Sequence, residues 1–153
     1  MKLTDILVRD ACLVDLKART KKDTVRELTH ALASSVEGLE EAGLMQMLLE
    51  RERLGSTAMG DGIAIPHARL ESLDRLLASF GRSRQGVDFD SLDGKPTHIF
   101  FLLVAPGREG SAHLLTLARL SRFLTSPAFR EKLIELDSVD ELFAAVEEEE
   151  ARS

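Results

Sequence analysis

The sequence predicts an α/β fold, a single layered domain in which a mixed β-sheet is flanked by helices on both faces. Stretches with the apolar period of helices alternate along the chain with short apolar runs typical of strands. The run "THIFFLLVAP", residues 97–106, is almost wholly apolar yet too short for a typical helix, as expected of a central strand covered on both faces. With 153 residues and neither a repeat nor a low-complexity linker, the chain suits one domain, residues 1–153.

The N-terminal part is predicted to form a short strand in "CLVDL", residues 12–16, followed by a helix. Thr20 and Asp23 are placed as a capping box at the start of this helix, and Gly38 supplies its end. Its apolar residues recur at helical spacing: Val25, Leu28, Leu32 and Val36.

A second helix is predicted in "EEAGLMQMLLERERLG", which Gly55 closes. The residues expected to share its buried face are Leu44, Met47, Leu48 and Leu54.

The remaining elements are read in the same way. "RLLASFGRSR" predicts a strand, "RQGVDFDSLDGKP" a turn-rich connection, and "GREGS" a loop after the central strand. "SAHLLTLARLSRFL" resumes helical spacing, Pro127 opens a further helix, and Ser138 with Glu141 forms a capping box for the last helix, "SVDELFAAVEEE".

Composition excludes several classes of function. The formal net charge of −6 and the absence of Trp and Tyr argue against a nucleic-acid binder. No apolar run approaches the roughly 20 residues of a membrane span, so no membrane insertion is expected. Cys12 is the only cysteine, which indicates a reducing compartment and a cytoplasmic protein of bacterial type. The glutamates of the tail "VEEEEARS" are typical of a solvated, frayed helix end.

The stretch "GSTAMGDGIAIPHARL", residues 55–70, contains the strongest candidate for chemistry. His67 directly follows the "GIAIP" strand, and His113 lies in the first turn of the helix after the central strand. If these strands are neighbours, both imidazoles face one crevice at the carboxyl ends of the strands. Ser56 and Thr57, among glycines, offer donors to an oxyanion, and Arg51 and Arg53 offer planar guanidiniums beside them. His30 and His98 are interpreted as structural or solvent-facing.

This pattern favours an anion beside a neutral imidazole over other chemistries. Zinc is the main rival, because His67 and His113 are suitable ligands, but zinc takes three or four ligands and a neighbouring arginine repels the cation. No G-x-S-x-G motif supports a serine nucleophile, and "GSTAMGDG" lacks the lysine of a P-loop. No metal and no cofactor are therefore expected.

The stretch "RERLGSTAMGDGIAIPHAR" resembles the phosphorylation-site signature of the phosphotransferase-system IIA proteins of the fructose/mannitol type, and the chain is most similar there to the stand-alone nitrogen-regulatory IIA proteins. The resemblance includes "SAHLLTLARLS" and "SVDELF" and so covers nearly the whole chain. It implies that His67, in the family's I-x-I/V-P-H motif, is the phosphorylated nucleophile. It also implies a set of phosphate-stabilising residues: Arg51, Ser56, Thr57 and His113. Ala68 departs from the glycine that the family usually has after the histidine.

The resemblance implies a cytoplasmic phosphohistidine carrier and regulator. It accepts a phosphoryl group on His67 from a small histidine-containing phosphocarrier protein of the nitrogen type, and its phosphorylation state controls partners such as transporters or sensor kinases. Because no membrane domain or second carrier domain is attached, we expect a regulatory phosphotransferase component and not a sugar kinase in itself. The alternatives are a sugar-specific IIA component that relays phosphate to a IIB partner, and a binding module that has lost transfer.

Overall fold

In the computed structural model of the chain, which describes residues 2–107 and 110–152, a five-stranded mixed sheet lies between two layers of helices. The first half contains α1 (Leu3–Ile6), a 3₁₀ turn (Arg9–Ala11), α2 (Lys21–Ser35), α3 (Glu41–Arg53), β1 (Ala58–Gly60), β2 (Ile63–Ala64) and β3 (His67–Leu70). The second half contains β4 (Leu77–Val87), β5 (Thr97–Pro106), α4 (Gly110–Phe123), α5 (Pro127–Ile134) and α6 (Val139–Arg152).

β5 is the centre of the sheet. Along one edge it pairs antiparallel with β4, and along its other edge it pairs in parallel first with β2 and then with β3. β2 and β3 follow one another along the same edge of β5. They are separated near Pro66, which has no N–H to donate to a neighbouring strand. In the register of β3 with β5, His67 lies opposite Leu103. The sheet therefore places His67 beside the carboxyl-terminal half of the central strand.

The side chains of β5 alternate between two hydrophobic clusters, as a strand covered on both faces requires. On one face its residues pack against α1, α4, α5 and α6: Ile99, Phe101, Leu103 and Ala105. On the other face they pack against α2 and α3: Phe100, Leu102 and Val104. The predicted α/β domain with helices on both faces of a mixed sheet is confirmed.

The segment "CLVDL" is not a strand, contrary to the prediction. Leu13 forms an isolated bridge with Gly81, and its N–H donates to the Phe80 carbonyl at 2.8 Å. The next carbonyl, that of Val14, accepts from Nε of Arg82 at 2.9 Å. Because a side chain and not a backbone N–H donates to this carbonyl, the segment runs beside β4 without forming a regular ladder of backbone hydrogen bonds. β4 itself continues to Val87, into the region predicted to be turn-rich.

The predicted helix starts are confirmed where their caps lie in the described chain. The Thr20 hydroxyl accepts from the N–H of Asp23 at 3.1 Å, and the Ser138 hydroxyl accepts from the N–H of Glu141 at 3.2 Å. In the predicted "GREGS" loop, residues 108 and 109 lie outside the described residues, and α4 begins at Gly110. No helix in the described part of the chain is long and apolar enough to cross a membrane.

The glutamate tail is more ordered than the sequence suggested. Glu150, in the last turns of α6, is buried, and its carboxylate accepts from the N–H of Leu3 at 2.6 Å. It also pairs with Arg119 of α4 at 3.2 Å. The expectation of a solvated, frayed end is wrong for this residue, because its carboxylate interacts with the N-terminal end of α1, where backbone N–H groups attract negative charge.

Candidate functional site

His67 begins β3, and both nitrogens of its ring have partners that decide where the ring proton lies. Nδ1 donates to the carbonyl of Ile65 at 2.9 Å, because a carbonyl can only accept. Nε2 accepts from Nε of Arg51 at 3.2 Å, because a guanidinium can only donate. The imidazole is therefore the Nδ1–H tautomer, with the lone pair of Nε2 turned towards the crevice.

Arg51 reaches His67 from the last turn of α3. Its Nη1 donates to the carbonyl of Gly55 at 2.9 Å, which fixes the side chain at the C-terminal end of its own helix. Gly55 has φ of +148°, in a region that favours glycine, and this allows the chain to turn sharply from α3 towards β1. The guanidinium is thus held between the helix end and the imidazole.

His113, in the first turns of α4, lies next to His67 with a distance of 5.3 Å between the ring centroids. The residue is only 4% exposed, and within the described part of the chain its Nδ1 has no hydrogen-bond partner. The predicted adjacency of the two histidines is confirmed, because β3 and β5 are neighbours in the sheet. A buried ring nitrogen without a partner indicates a place where a ligand can supply the missing contact.

Both imidazoles are predominantly neutral near pH 7. Burial lowers the pKa of His67 below its usual value, and the charges of Arg51 and Arg69 lower it further, against the opposing effects of the Ile65 carbonyl and the charge of Glu52. Burial lowers the pKa of His113 to about 4, with smaller contributions from His67 and Arg69. A neutral imidazole keeps its lone pair available, as a nucleophile requires.

Ser56 and Thr57 line the cavity beside His67, but their hydroxyls are engaged within the protein. Oγ of Ser56 donates to the Phe89 carbonyl at 2.5 Å. Oγ1 of Thr57 donates to the carboxylate of Glu52. The structure therefore places the other four candidate residues around His67. Their roles toward a phosphoryl group stay predictions.

Glu52 is the residue that reasoning from the sequence missed. It is 7% exposed, accepts from the backbone N–H of Thr57 at 3.1 Å, and forms an ion pair with Lys21 at 3.1 Å. A signal was present in the sequence, because Leu44, Leu48 and Glu52 follow at steps of four residues along α3. Such a step keeps residues on one helix face, so the buried stripe continues into a charged side chain.

The crevice opens into two adjoining cavities of about 350 and 610 Å³ that share Arg51 and His67. Large apolar side chains are exposed along their walls: Met47, Leu54, Met59, Leu92 and Leu114. The prediction that Met47 and Leu54 belong to the buried face of α3 is wrong, and Leu54 is 85% exposed. These residues form an apolar rim around the histidine pair, which we call the crevice rim.

The other two histidines and the cysteine do not line these cavities. His30 is exposed and contacts Glu41 at 3.0 Å, whereas Nδ1 of His98 bonds to the Ser83 carbonyl at 2.8 Å. Burial raises the pKa of the Cys12 thiol to about 12. Among the residues that the structure describes, no three His, Cys, Asp or Glu side chains are grouped so as to hold a metal ion.

The relatives that are similar in sequence include nitrogen regulatory proteins and a component of a sugar phosphotransferase system. A nitrogen regulatory protein from Bradyrhizobium diazoefficiens is 41% identical over 133 residues, which are 87% of this chain and 86% of that protein. The fructose-specific EIIABC component of the phosphotransferase system from Bacillus subtilis is 34% identical over 140 residues. That match takes in 92% of this chain but 22% of the longer protein.

Solved structures agree with these similarities. The crystal structure of the nitrogen regulatory protein IIA-Ntr from Neisseria meningitidis matches with a TM-score of 0.87 and 32% identity over 93% of this chain and 97% of that one. IIA mannitol from Escherichia coli matches with a TM-score of 0.74 and 26% identity over 95% and 99% of the two chains. The model of the family described as "Phosphoenolpyruvate-dependent sugar phosphotransferase system, EIIA 2" matches residues 5–149, and the chain therefore belongs to this family.

Proposed function

We propose that this protein is a cytoplasmic phosphohistidine carrier that accepts a phosphoryl group on Nε2 of His67 from a small histidine-containing phosphocarrier of the nitrogen type. One observation carries the proposal. His67 is a neutral imidazole whose Nδ1–H is committed to the Ile65 carbonyl and whose Nε2 lone pair faces Arg51. The Nε2–P bond forms as the donor's N–P bond breaks, and the electron pair of that bond returns to the donor's imidazole.

Arg51 supports the transfer as a movable donor. In the resting protein its Nε occupies the Nε2 lone pair of His67 at 3.2 Å. An incoming phosphorus atom needs that lone pair, so the guanidinium must turn from the nitrogen to the phosphoryl oxygens. Its planar fork suits two oxygens of one phosphoryl group, and it stays anchored through Gly55.

His113 supplies a second hydrogen-bond donor beside Arg51. A phosphoryl group on Nε2 of His67 carries negative charge close to the neighbouring ring, whose Nδ1 has no partner within the described chain. With the proton on Nδ1, the ring can donate to a phosphoryl oxygen. Positioned donors of this kind are the main requirement of phosphoryl transfer.

The crevice rim supports a protein as the phosphoryl donor. Exposed apolar side chains around one crevice, such as Leu54, Leu92 and Leu114, are typical of a surface that another protein covers. The partners controlled by the phosphorylation state, such as transporters or sensor kinases, belong to the same proposal. The Bradyrhizobium and Neisseria relatives, both named nitrogen regulatory proteins, support regulation.

The alternative is a sugar-specific IIA component that relays phosphate to a IIB partner. The 34% identity to the fructose-specific EIIABC component favours it. The two functions share the His67 chemistry and differ in the proteins that dock, so the preferred phosphocarrier distinguishes them.

The test is to incubate the protein with phosphoenolpyruvate, enzyme I and either a nitrogen-type or a sugar-type phosphocarrier, and to follow intact mass. We expect the gain of one acid-labile phosphoryl group, faster with the nitrogen-type carrier. His67→Ala should remove the gain, and His30→Ala, an exposed histidine outside the crevice, should retain it. Phosphorylation of His67→Ala would refute the site, and equal or faster transfer from the sugar-type carrier would favour the alternative.

A further inference from the structure

We infer that Glu52 is a positioning residue, which holds His67 in the tautomer and orientation needed for transfer through hydrogen bonds that pass by way of Thr57 and Ile65. The inference rests on the proposed function and names a residue that acts on the nucleophile without touching the phosphoryl group.

The hydrogen bonds form a continuous chain. The backbone N–H of Thr57 donates to Oε1 of Glu52 at 3.1 Å, and the Thr57 hydroxyl donates to Oε2 of the same carboxylate. The carbonyl of Thr57 accepts from the N–H of Ile65 at 3.2 Å. The carbonyl of Ile65 accepts from Nδ1 of His67 at 2.9 Å. The carboxylate of Glu52 thus fixes Thr57. The carbonyl of Thr57 in turn fixes Ile65, whose own carbonyl accepts the hydrogen bond from His67.

Lys21 anchors the carboxylate from the other side. Its Nζ lies 3.1 Å from Oε1 of Glu52 and 4.9 Å from the centre of the Phe89 ring, and it also contacts Asp90 at 3.3 Å. A carboxylate that is 7% exposed must be stabilised by such partners, since an unpaired buried charge is costly. The arrangement therefore holds the side chain of Glu52 in a fixed place next to the loop that leads to β1.

The carboxylate is chemically specific for this role. Its two oxygens accept two hydrogen bonds from one residue, Thr57, and an amide can accept only one of them in the same geometry. A glutamine would either direct its NH₂ group at the N–H of Thr57, where two donors meet, or donate to the Thr57 hydroxyl and so reverse that hydrogen bond. The strain would pass along the backbone to the Ile65 carbonyl and loosen its hold on the ring proton of His67.

The experiment uses the full chain and compares Glu52→Gln with Glu150→Gln. Glu150 is a matched control, because it is also a buried carboxylate that accepts backbone N–H bonds, but it interacts with the end of α1. The ¹⁵N chemical shifts of the His67 ring report its tautomer, and quenched-flow mass measurements report transfer from the phosphocarrier. We expect Glu52→Gln to mix the two tautomers and to slow transfer by about tenfold, the size of effect seen when the partner that orients an imidazole is lost.

Glu150→Gln should lower the unfolding midpoint and leave both the ¹⁵N shifts and the transfer rate as in the parent protein. If Glu52→Gln does not fold, Lys21→Met is used instead. We expect this variant to shift the tautomer and the transfer rate in the same direction, but by less. A parent-like tautomer and rate in the folded Glu52→Gln protein would overturn the inference while leaving His67 as the acceptor. Failure of the parent protein to take up phosphate would refute the proposed function, and the tautomer measurement would still report on Glu52.

Discussion

Two arginines of this protein, Arg82 and Arg51, show how one side chain can serve either the fold or the site. Arg82 in β4 is 1% exposed, and all three of its guanidinium nitrogens donate to backbone carbonyls. The accepting carbonyls, at 2.5–2.9 Å, belong to Val14, Ile134 and Leu136. Arg82 therefore connects the strand to the end of α5 and to the segment before α2.

Arg51 is used differently. It donates to the Gly55 carbonyl and to a neutral ring nitrogen of His67, a partner that an incoming phosphoryl group can replace. The two guanidiniums differ in the number of backbone carbonyls that hold them, three for Arg82 and one for Arg51. A guanidinium with exchangeable contacts keeps donors for a ligand.

The largest effect should follow from Arg82→Met. Three carbonyls would lose a charged donor, and the unfolding free energy should fall by about 3 kcal/mol or more. Urea denaturation measures this loss, with Arg84→Met, the exposed arginine two residues on, as the control. The transfer rate per folded molecule should stay unchanged. A variant as stable as the parent would show that Arg82 is not structural.

Arg51→Ala should give the converse result, with transfer to His67 about ten- to hundredfold slower and an unchanged melting temperature. The reason is the loss of one charge-assisted hydrogen bond in the transition state, about 1.5–3 kcal/mol. Arg51→Lys should recover the rate only in part, because an ammonium cannot make the bidentate contact. Quenched-flow measurements of the rate of phosphoryl transfer test both variants, and Arg53→Lys, at an exposed neighbouring arginine, is the control. A full rescue by lysine would contradict a bidentate role.

The buried His113 should make the folding stability of the protein depend on pH. Its pKa is about 4 in the folded protein, below the usual value near 6.5 that applies when the chain is unfolded. The unfolded chain therefore binds more protons between these values, so stability falls as pH is lowered from about 6.5 to about 4. His113→Asn should flatten this part of the stability–pH curve by at most about 1.4 kcal/mol per pH unit, the effect of one proton. An identical slope in parent and variant would place His113 in a less buried setting.

The smallest effect should come from Ser56→Ala. Because its hydroxyl donates to the Phe89 carbonyl and accepts from the N–H of Ala58, it is already satisfied without a phosphoryl group. Transfer should slow by less than about tenfold, the loss of a single neutral hydrogen bond. A larger loss in the same transfer assay would mean that the hydroxyl turns to the phosphoryl group during the reaction.

Much of the fold could be predicted from local patterns. The cap at Thr20 and the apolar run of β5 each follow from interactions within a few residues or from complete burial. The proximity of His67 to His113 could be inferred because the two histidines belong to elements attached to neighbouring parallel strands. Such features depend on short-range chemistry or on topology, which the sequence carries directly.

Other features depend on contacts that no local pattern contains. Glu150 is buried because α1, 146 or more residues earlier in the chain, presents N–H groups to it. Leu54 satisfies the apolar pattern of α3 but lies exposed on the crevice rim. An apolar residue that a partner covers and one that the core covers look the same in a sequence.

Ala68 sets a limit on how the site can vary. Its methyl group belongs to the hydrophobic cluster beneath α3, because residues of a strand alternate between its two faces and His67 takes the other one. Its volume therefore sets the spacing between the strand that begins with His67 and the helix that carries Arg51. We expect a bulkier side chain to push α3 outwards and to lengthen the 3.2 Å contact between guanidinium and imidazole, so that packing at position 68 controls the geometry of the hydrogen bond at position 67.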